Sequence, residues 1–171
     1  MASGRLQQLH DLGQSIWLDY VRRGMIASGE LKRLMAEAAV TGVTSNPSIF
    51  EKAIDESTDY DAEIGAAGPG ASVAEIYDQL TLADIGAAAD VLRPAYDAAG
   101  GRDGFVSIEV SPELADDTEG TIAEATRIWR HLQRSNVLIK VPATAAGCPA
   151  VRRLIAAGIS VNITLMFSLK H

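Results

Sequence analysis

Five short apolar runs, set between stretches with helical spacing, constrain this chain more than any other feature. Ser15-Ile16-Trp17-Leu18 ends at Asp19, and Val40-Thr41-Gly42-Val43 leads into Thr44, Ser45 and Asn46. Phe105-Val106-Ser107-Ile108 reaches Glu109, Val137-Leu138-Ile139 carries Lys140, and Ile159-Ser160-Val161 leads into Asn162, Ile163 and Thr164. Short apolar runs bounded by turn residues read as buried strands, and their alternation with helices argues for a parallel sheet in an α/β protein. In such folds the carboxyl ends of the strands lie together, and ligands bind there. An amine, carboxylates, carboxamides and hydroxyls are therefore expected at one end of the sheet.

The segments between the runs are legible as helices. The pattern predicts a helix over 5–12 with Leu6, Leu9 and Leu12 on one side, and one over 29–38 capped by Ser28. Asn46-Pro47 opens the next, with Pro47 in its first turn and Ile49, Phe50 and Ile54 inward, and a short helix is expected over 57–65. Ser72-Val73-Ala74-Glu75 is a capping box before a long helix over 73–92, where Pro94 either kinks the chain or begins a new turn. A second box, Thr121-Ile122-Ala123-Glu124, opens a helix reaching 133, and Pro149 starts another that runs to Ala157, with Gly158 past its end. The strands are expected at 15–19, 40–44, 104–110, 136–141 and 159–166.

Two architectures fit this order. The length of 171 residues favours an open, doubly wound sheet. A polar group at every strand end, and the absence of a covering helix after the fifth run, favour a (β/α)8 barrel, which needs eight strands and typically about 250 residues. The expectation is one barrel-type domain over 1–171 that supplies about the first five strands and is C-terminally incomplete.

Composition excludes several functions. A net charge of −7 opposes binding to nucleic acid or to anionic membranes, and no apolar run is long enough to span a bilayer. Met1-Ala2-Ser3-Gly4-Arg5 leads into a polar helix without the apolar core of a leader. The single cysteine, Cys148, has no internal partner, which fits a reducing cytoplasm. His10, His131 and His171 are scattered and off the strand ends, which argues against a metal site, and there is no P-loop or dinucleotide fingerprint. Arg22-Arg23 and Arg152-Arg153 read as solvated charges near helix ends.

Lys140 carries the sharpest chemistry. An ammonium seldom sits among Val, Leu and Ile without a partner, and a desolvated amine sheds its proton more readily and attacks carbonyls. The plain alternative is a lysine that snorkels to water or guards a sheet edge. Asp19 reads equally as a turn residue, Asn46 as a cap before Pro47, and Thr44, Ser45 and Thr164 as ordinary strand hydroxyls. Glu109, between Ile108 and Val110, is harder to explain without partners.

Taken in order, Gln14–Asp19, Gly42–Phe50, Val106–Val110, Leu138–Thr144 and Gly158–Ser168 resemble the transaldolases of the longer bacterial type over nearly the whole chain. The resemblance implies a cofactor-free (β/α)8 enzyme of the pentose phosphate pathway. Such an enzyme moves a dihydroxyacetone unit from fructose 6-phosphate or sedoheptulose 7-phosphate to an aldose phosphate, glyceraldehyde 3-phosphate or erythrose 4-phosphate. It implies that Lys140 forms the Schiff base and that Asp19 takes the proton of the C4 hydroxyl as the C3–C4 bond breaks. Glu109 and Thr164 match the pair that manages protons through a water, Asn46 and Asn162 match carboxamides on the donor and the enamine, and Thr44 matches a nearby hydroxyl. Ser45 stands where the family commonly has Thr. The serine and arginines that grip the substrate phosphate belong, in the family, to strands beyond His171.

The implied partners are small sugar phosphates in the cytoplasm, with no nucleic acid or membrane, and a homo-oligomer stays open. Two other readings also stay open. One is a truncated, non-catalytic or partner-dependent half-barrel. The other is a related Schiff-base aldolase that splits fructose 6-phosphate without an acceptor.

Overall fold

In the computed structural model, which describes residues 4–168, strands and helices alternate along the chain. The elements are α1 (Arg5–Asp11), β1 (Ile16–Leu18), α2 (Arg23–Ala27), α3 (Glu30–Ala38), β2 (Val40–Thr44), α4 (Pro47–Asp55), α5 (Asp61–Ala66), α6 (Val73–Ala98), β3 (Phe105–Glu109), α7 (Thr118–Leu132), β4 (Val137–Pro142), α8 (Gly147–Ala156) and β5 (Val161–Thr164). Met1–Ser3 of the leaderless reading and His171 of the scattered histidines lie outside the described residues.

The strands neighbour one another in the order β1-β2-β3-β4-β5 of one sheet, and β1–β2 and β4–β5 pair in parallel. This order decides between the two architectures. A doubly wound sheet reverses at a switch point, so its spatial order departs from chain order. A (β/α)8 barrel lays each strand beside the one before it, as the five strands do here.

Residue contacts divide the chain into two compact units, Met1–Val106 and Ser107–His171. In the first unit, Ile85, Ala88, Ala89 and Leu92 recur at helical spacing along α6 and are fully buried. The capping box at its start is complete: Ser72 Oγ accepts from Glu75 N–H at 3.2 Å, and Glu75 Oε2 accepts from Ser72 N–H at 2.8 Å. These bonds hold the Glu75 carboxyl below its usual range. Pro94 does not restart the helix, which runs through it to Ala98. Arg93 Nε bonds Asp97 at 2.8 Å across that turn, and Tyr96 packs edge-on against Phe105 at 5.3 Å between centroids.

Two further expectations need correction in this unit. Ser28 does not cap α3. It ends α2, a five-residue helix whose short length left no periodic signal, and its Oγ donates to Met25 C=O at 3.4 Å. Gly29, with φ 79°, makes the left-handed joint before α3. Nor is Arg23 solvated. Its Nε donates to Asp84 Oδ1 at 2.8 Å, its Nη1 lies 2.6 Å from Glu63 Oε1, and its guanidinium stacks 4.7 Å above the Tyr60 ring. Tyr60 O–H completes the cluster by donating to Asp84 Oδ2 at 2.8 Å.

Burial raises the Asp84 carboxyl above its ordinary value, because desolvation outweighs the help of Arg23 and Tyr60. Burial opposes the Arg23 charge, yet the hydrogen bond and charge of Asp84, with Glu63, raise it overall. The two shifts pull against each other across one ion pair. Side-chain exposure is 4% for Asp84 and 20% for Arg23, so the deeper carboxylate bears the larger desolvation cost. Burial also raises the Tyr60 hydroxyl.

In the second unit α7 and α8 pack on each other and on β4, burying Ala125, Ile128, Ile139, Val141, Ala150 and Leu154. The box at Thr121 is not a cap. The helix begins earlier, at Thr118, where Asp117 Oδ1 accepts from Gly120 N–H at 3.0 Å. Thr121 is buried inside it and donates to Leu114 C=O, while Glu124 accepts from Ser111 N–H. α8 likewise starts at Gly147 rather than Pro149, held by Thr144 Oγ1, which accepts from Gly147 N–H at 2.8 Å. Gly158 has the expected left-handed φ, at 77°. Past β5, Leu165, Met166 and Phe167 are exposed.

Candidate active site

The second unit brings four of the proposed residues onto neighbouring strands. Side chains alternate across a strand, so Ser107 and Glu109 share one face of β3, while Val106, Ile108 and Val110 line the other and are buried. On β4 the fully buried Val137, Ile139 and Val141 alternate with the partly exposed Leu138 and Lys140. Lys140 registers with Asn162 on β5, and Pro142 with Thr164, so Asn162 and Thr164 share the lysine's face. Val110 N–H donates to Lys140 C=O at 3.2 Å, which in a parallel pair sets Glu109 beside Lys140.

Glu109, Lys140 and Asn162 therefore form one row across three strands. Lys140 Nζ lies 3.1 Å from Glu109 Oε2, with side-chain exposures of 12% and 19%. The snorkelling alternative does not hold: the amine meets a carboxylate while both stay largely out of solvent. Asn162 Nδ2 donates to Ser107 Oγ at 2.9 Å. Sequence reasoning passed over Ser107, because a serine inside an apolar strand carries no signal until its neighbour two strands away is known. Thr144 fixes the loop beyond β4, donating to Ala115 C=O at 2.6 Å.

The first unit holds the other three residues. Asp19 directly follows β1 and is exposed. Thr44 is the last residue of β2, and its Oγ1 is shielded without a protein hydrogen-bond partner among the described residues. The registered pair Leu18↔Val43 precedes both, so Asp19 and Thr44 sit at the same carboxyl end of this strand pair. Trp17 registers with Gly42, and a Cβ on Gly42 would drive into the indole ring. Asn46 caps α4, its Oδ1 accepting from Ile49 N–H at 3.0 Å, so the plain reading of this residue holds for its oxygen. A groove of roughly 400 Å³ between Pro47, Glu51, Ile54, Asp55 and Tyr77 contains none of the candidate residues. Burial, with the charge of Glu51, pushes the Tyr77 hydroxyl there up to about 12. Among the described residues no cluster of His, Cys, Asp and Glu could hold a metal ion.

A lysine–carboxylate pair beside a carboxamide on parallel strand ends suits imine chemistry, and comparison with known proteins points the same way. The family model described as Transaldolase/Fructose-6-phosphate aldolase matches residues 16–171. The chain belongs to this family. It is 50% identical to Transaldolase 2 of Nostoc sp. over 171 residues, which is 99% of this chain and 45% of that protein. It is 54% identical to Transaldolase 1 of Streptomyces avermitilis over 167 residues, 97% of this chain and 44% of the relative. Transaldolase of Thermobifida fusca is 51% identical over 167 residues, with 97% and 45% covered. The chain thus spans less than half the length of these curated relatives.

Proposed function

We propose that this chain carries the Schiff-base machinery of a transaldolase, acting on sugar phosphates of the pentose phosphate pathway in the cytoplasm. The observation that carries the reading is the contact of Lys140 Nζ with Glu109 Oε2 at 3.1 Å, in a chain of the transaldolase/fructose-6-phosphate aldolase family. The relatives' name, transaldolase, supports transfer over simple cleavage. The lone cysteine fits a reducing compartment, and no helix among the described residues is long and apolar enough to cross a membrane. Residues 1–171 are read as part of one barrel-type domain.

The Lys140 amine adds to the C2 carbonyl of a ketose phosphate, and Glu109 moves the protons that turn the carbinolamine into an iminium and release water. Thr164, on the lysine's face of β5, assists that proton traffic. Asp19 accepts the C4 hydroxyl proton. The C3–C4 electron pair then flows into the iminium, giving an enamine, and the aldose phosphate leaves. The enamine carbon attacks the carbonyl of the acceptor aldehyde, the new alkoxide regains a proton, and hydrolysis frees Lys140. Asn162, Asn46 and Thr44 hold the donor's hydroxyls and the enamine. No step calls for a cofactor.

Product analysis tests the reading. Fructose 6-phosphate with erythrose 4-phosphate is expected to yield sedoheptulose 7-phosphate. Dihydroxyacetone released at the same rate with or without erythrose 4-phosphate would assign a lyase instead. No product in either case would contradict the reading.

A further inference from the structure

Ser107 is fully buried in β3, two residues before Glu109 and on the same face. Its Oγ accepts from Asn162 Nδ2 at 2.9 Å. β3 and β5 are not neighbours, since β4 lies between them. In a flat sheet, strands two apart are separated by roughly 10 Å. The short side chains of Ser107 and Asn162 meet only because the strands of this unit lean toward their shared face. The bond therefore crosses β4, the strand that carries Lys140, which registers with Asn162. A carboxamide has a donor end and an acceptor end that differ little in shape, so something must decide which end faces a ligand. Here the nitrogen is committed to Ser107.

We propose that Ser107 is a positioning residue that fixes the Asn162 carboxamide, so that Asn162 presents its carbonyl oxygen, a hydrogen-bond acceptor, to a hydroxyl or protonated imine of the bound ketose. The ketose part of this inference rests on the proposed function, whereas the orientation of Asn162 does not. Ser107 acts through Asn162 and touches no reacting atom itself.

The test has two arms on the full chain. In the first, side-chain amide NMR of Asn162 is compared between the parent and Ser107→Ala, with circular dichroism to confirm folding. The Asn162 NH₂ pair is expected to shift and to exchange faster with solvent once Ser107 is lost. Unchanged signals would overturn the proposal. In the second, borohydride trapping is followed against fructose 6-phosphate concentration. Ser107→Ala is expected to raise the half-saturating concentration roughly tenfold, the worth of one neutral hydrogen bond, with the limiting rate much less affected. Ser107→Cys, close in volume with a weaker acceptor, is expected to fall between the two. Unchanged trapping beside altered amide signals would overturn the positioning role. A parent chain that never traps overturns the ketose reading alone, and the NMR arm still decides the orientation of Asn162.

Discussion

Lys140 Nζ stands 3.1 Å from Glu109 Oε2, on adjacent strands and largely shielded from water. A carboxylate so placed can take and return the protons that carbinolamine formation and dehydration require. General acid–base groups typically contribute on the order of 10²- to 10⁴-fold to such steps. Glu109→Gln keeps the shape and removes the titratable group. It is expected to slow formation of the reducible adduct by about that factor while leaving Lys140 as the labelled residue, as read by rapid-quench borohydride trapping and peptide mapping.

Asp19→Asn separates bond cleavage from imine formation. If Asp19 is the base at the C4 hydroxyl, the variant still condenses with fructose 6-phosphate but fails to expel the aldehyde. The mass of the reduced adduct is then expected to change from a dihydroxyacetone unit to the whole ketose phosphate. Loss of all adduct would assign Asp19 to an earlier step.

The Arg23–Asp84 pair is a structural lock in the first unit. Asp84→Ala strips Arg23 Nε and the Tyr60 hydroxyl of their shared buried acceptor and leaves Arg23 only its outer contact with Glu63, and it is expected to cost about 3 kcal/mol in urea unfolding. The pH dependence follows from the raised Asp84 carboxyl. Its folded-state value lies above the ordinary 3.8, so the fold favours the neutral acid. That contribution is fully present below 3.8 and is lost as pH rises through the raised folded value. Asp84→Asn is neutral throughout. The stability difference between parent and Asp84→Asn is expected to move against the parent as pH climbs through that window, as measured by unfolding at a series of pH values.

Gly42 gives way to the Trp17 ring. Gly42→Ala forces the indole or the strand to move, and overpacking of this kind typically costs about 1–3 kcal/mol. A lowered midpoint in thermal unfolding is expected, with a change in Trp fluorescence reporting the displaced ring.

The sequence carried the strands well because their polar ends punctuate apolar runs. β2 lies at the expected 40–44, and the others fall within a residue or two at most ends. The capping box at Ser72 and the cap at Asn46 were also legible, since each is a local pattern that needs no distant partner. Thr121 and Ser28 misled for the converse reason. Their hydroxyls bond Leu114 and Met25 carbonyls, and only the folded loop reveals that choice. Arg23 looked solvated because Asp84, its buried partner, lies sixty-one residues away. Ser107 carried no signal for the same reason, with Asn162 fifty-five residues on. Long-range polar pairing is the part that local pattern cannot supply, whereas Lys140 stood out locally as an amine among apolar neighbours, and only the fold shows that Glu109 is its partner.

The most direct measurement is the intact mass of this chain after borohydride reduction with fructose 6-phosphate, followed by peptide mapping. A dihydroxyacetone-sized addition on Lys140, absent from Lys140→Ala, is the expected result. A folded chain that gains no mass, or gains it equally when Lys140 is replaced, would contradict Schiff-base chemistry at this lysine.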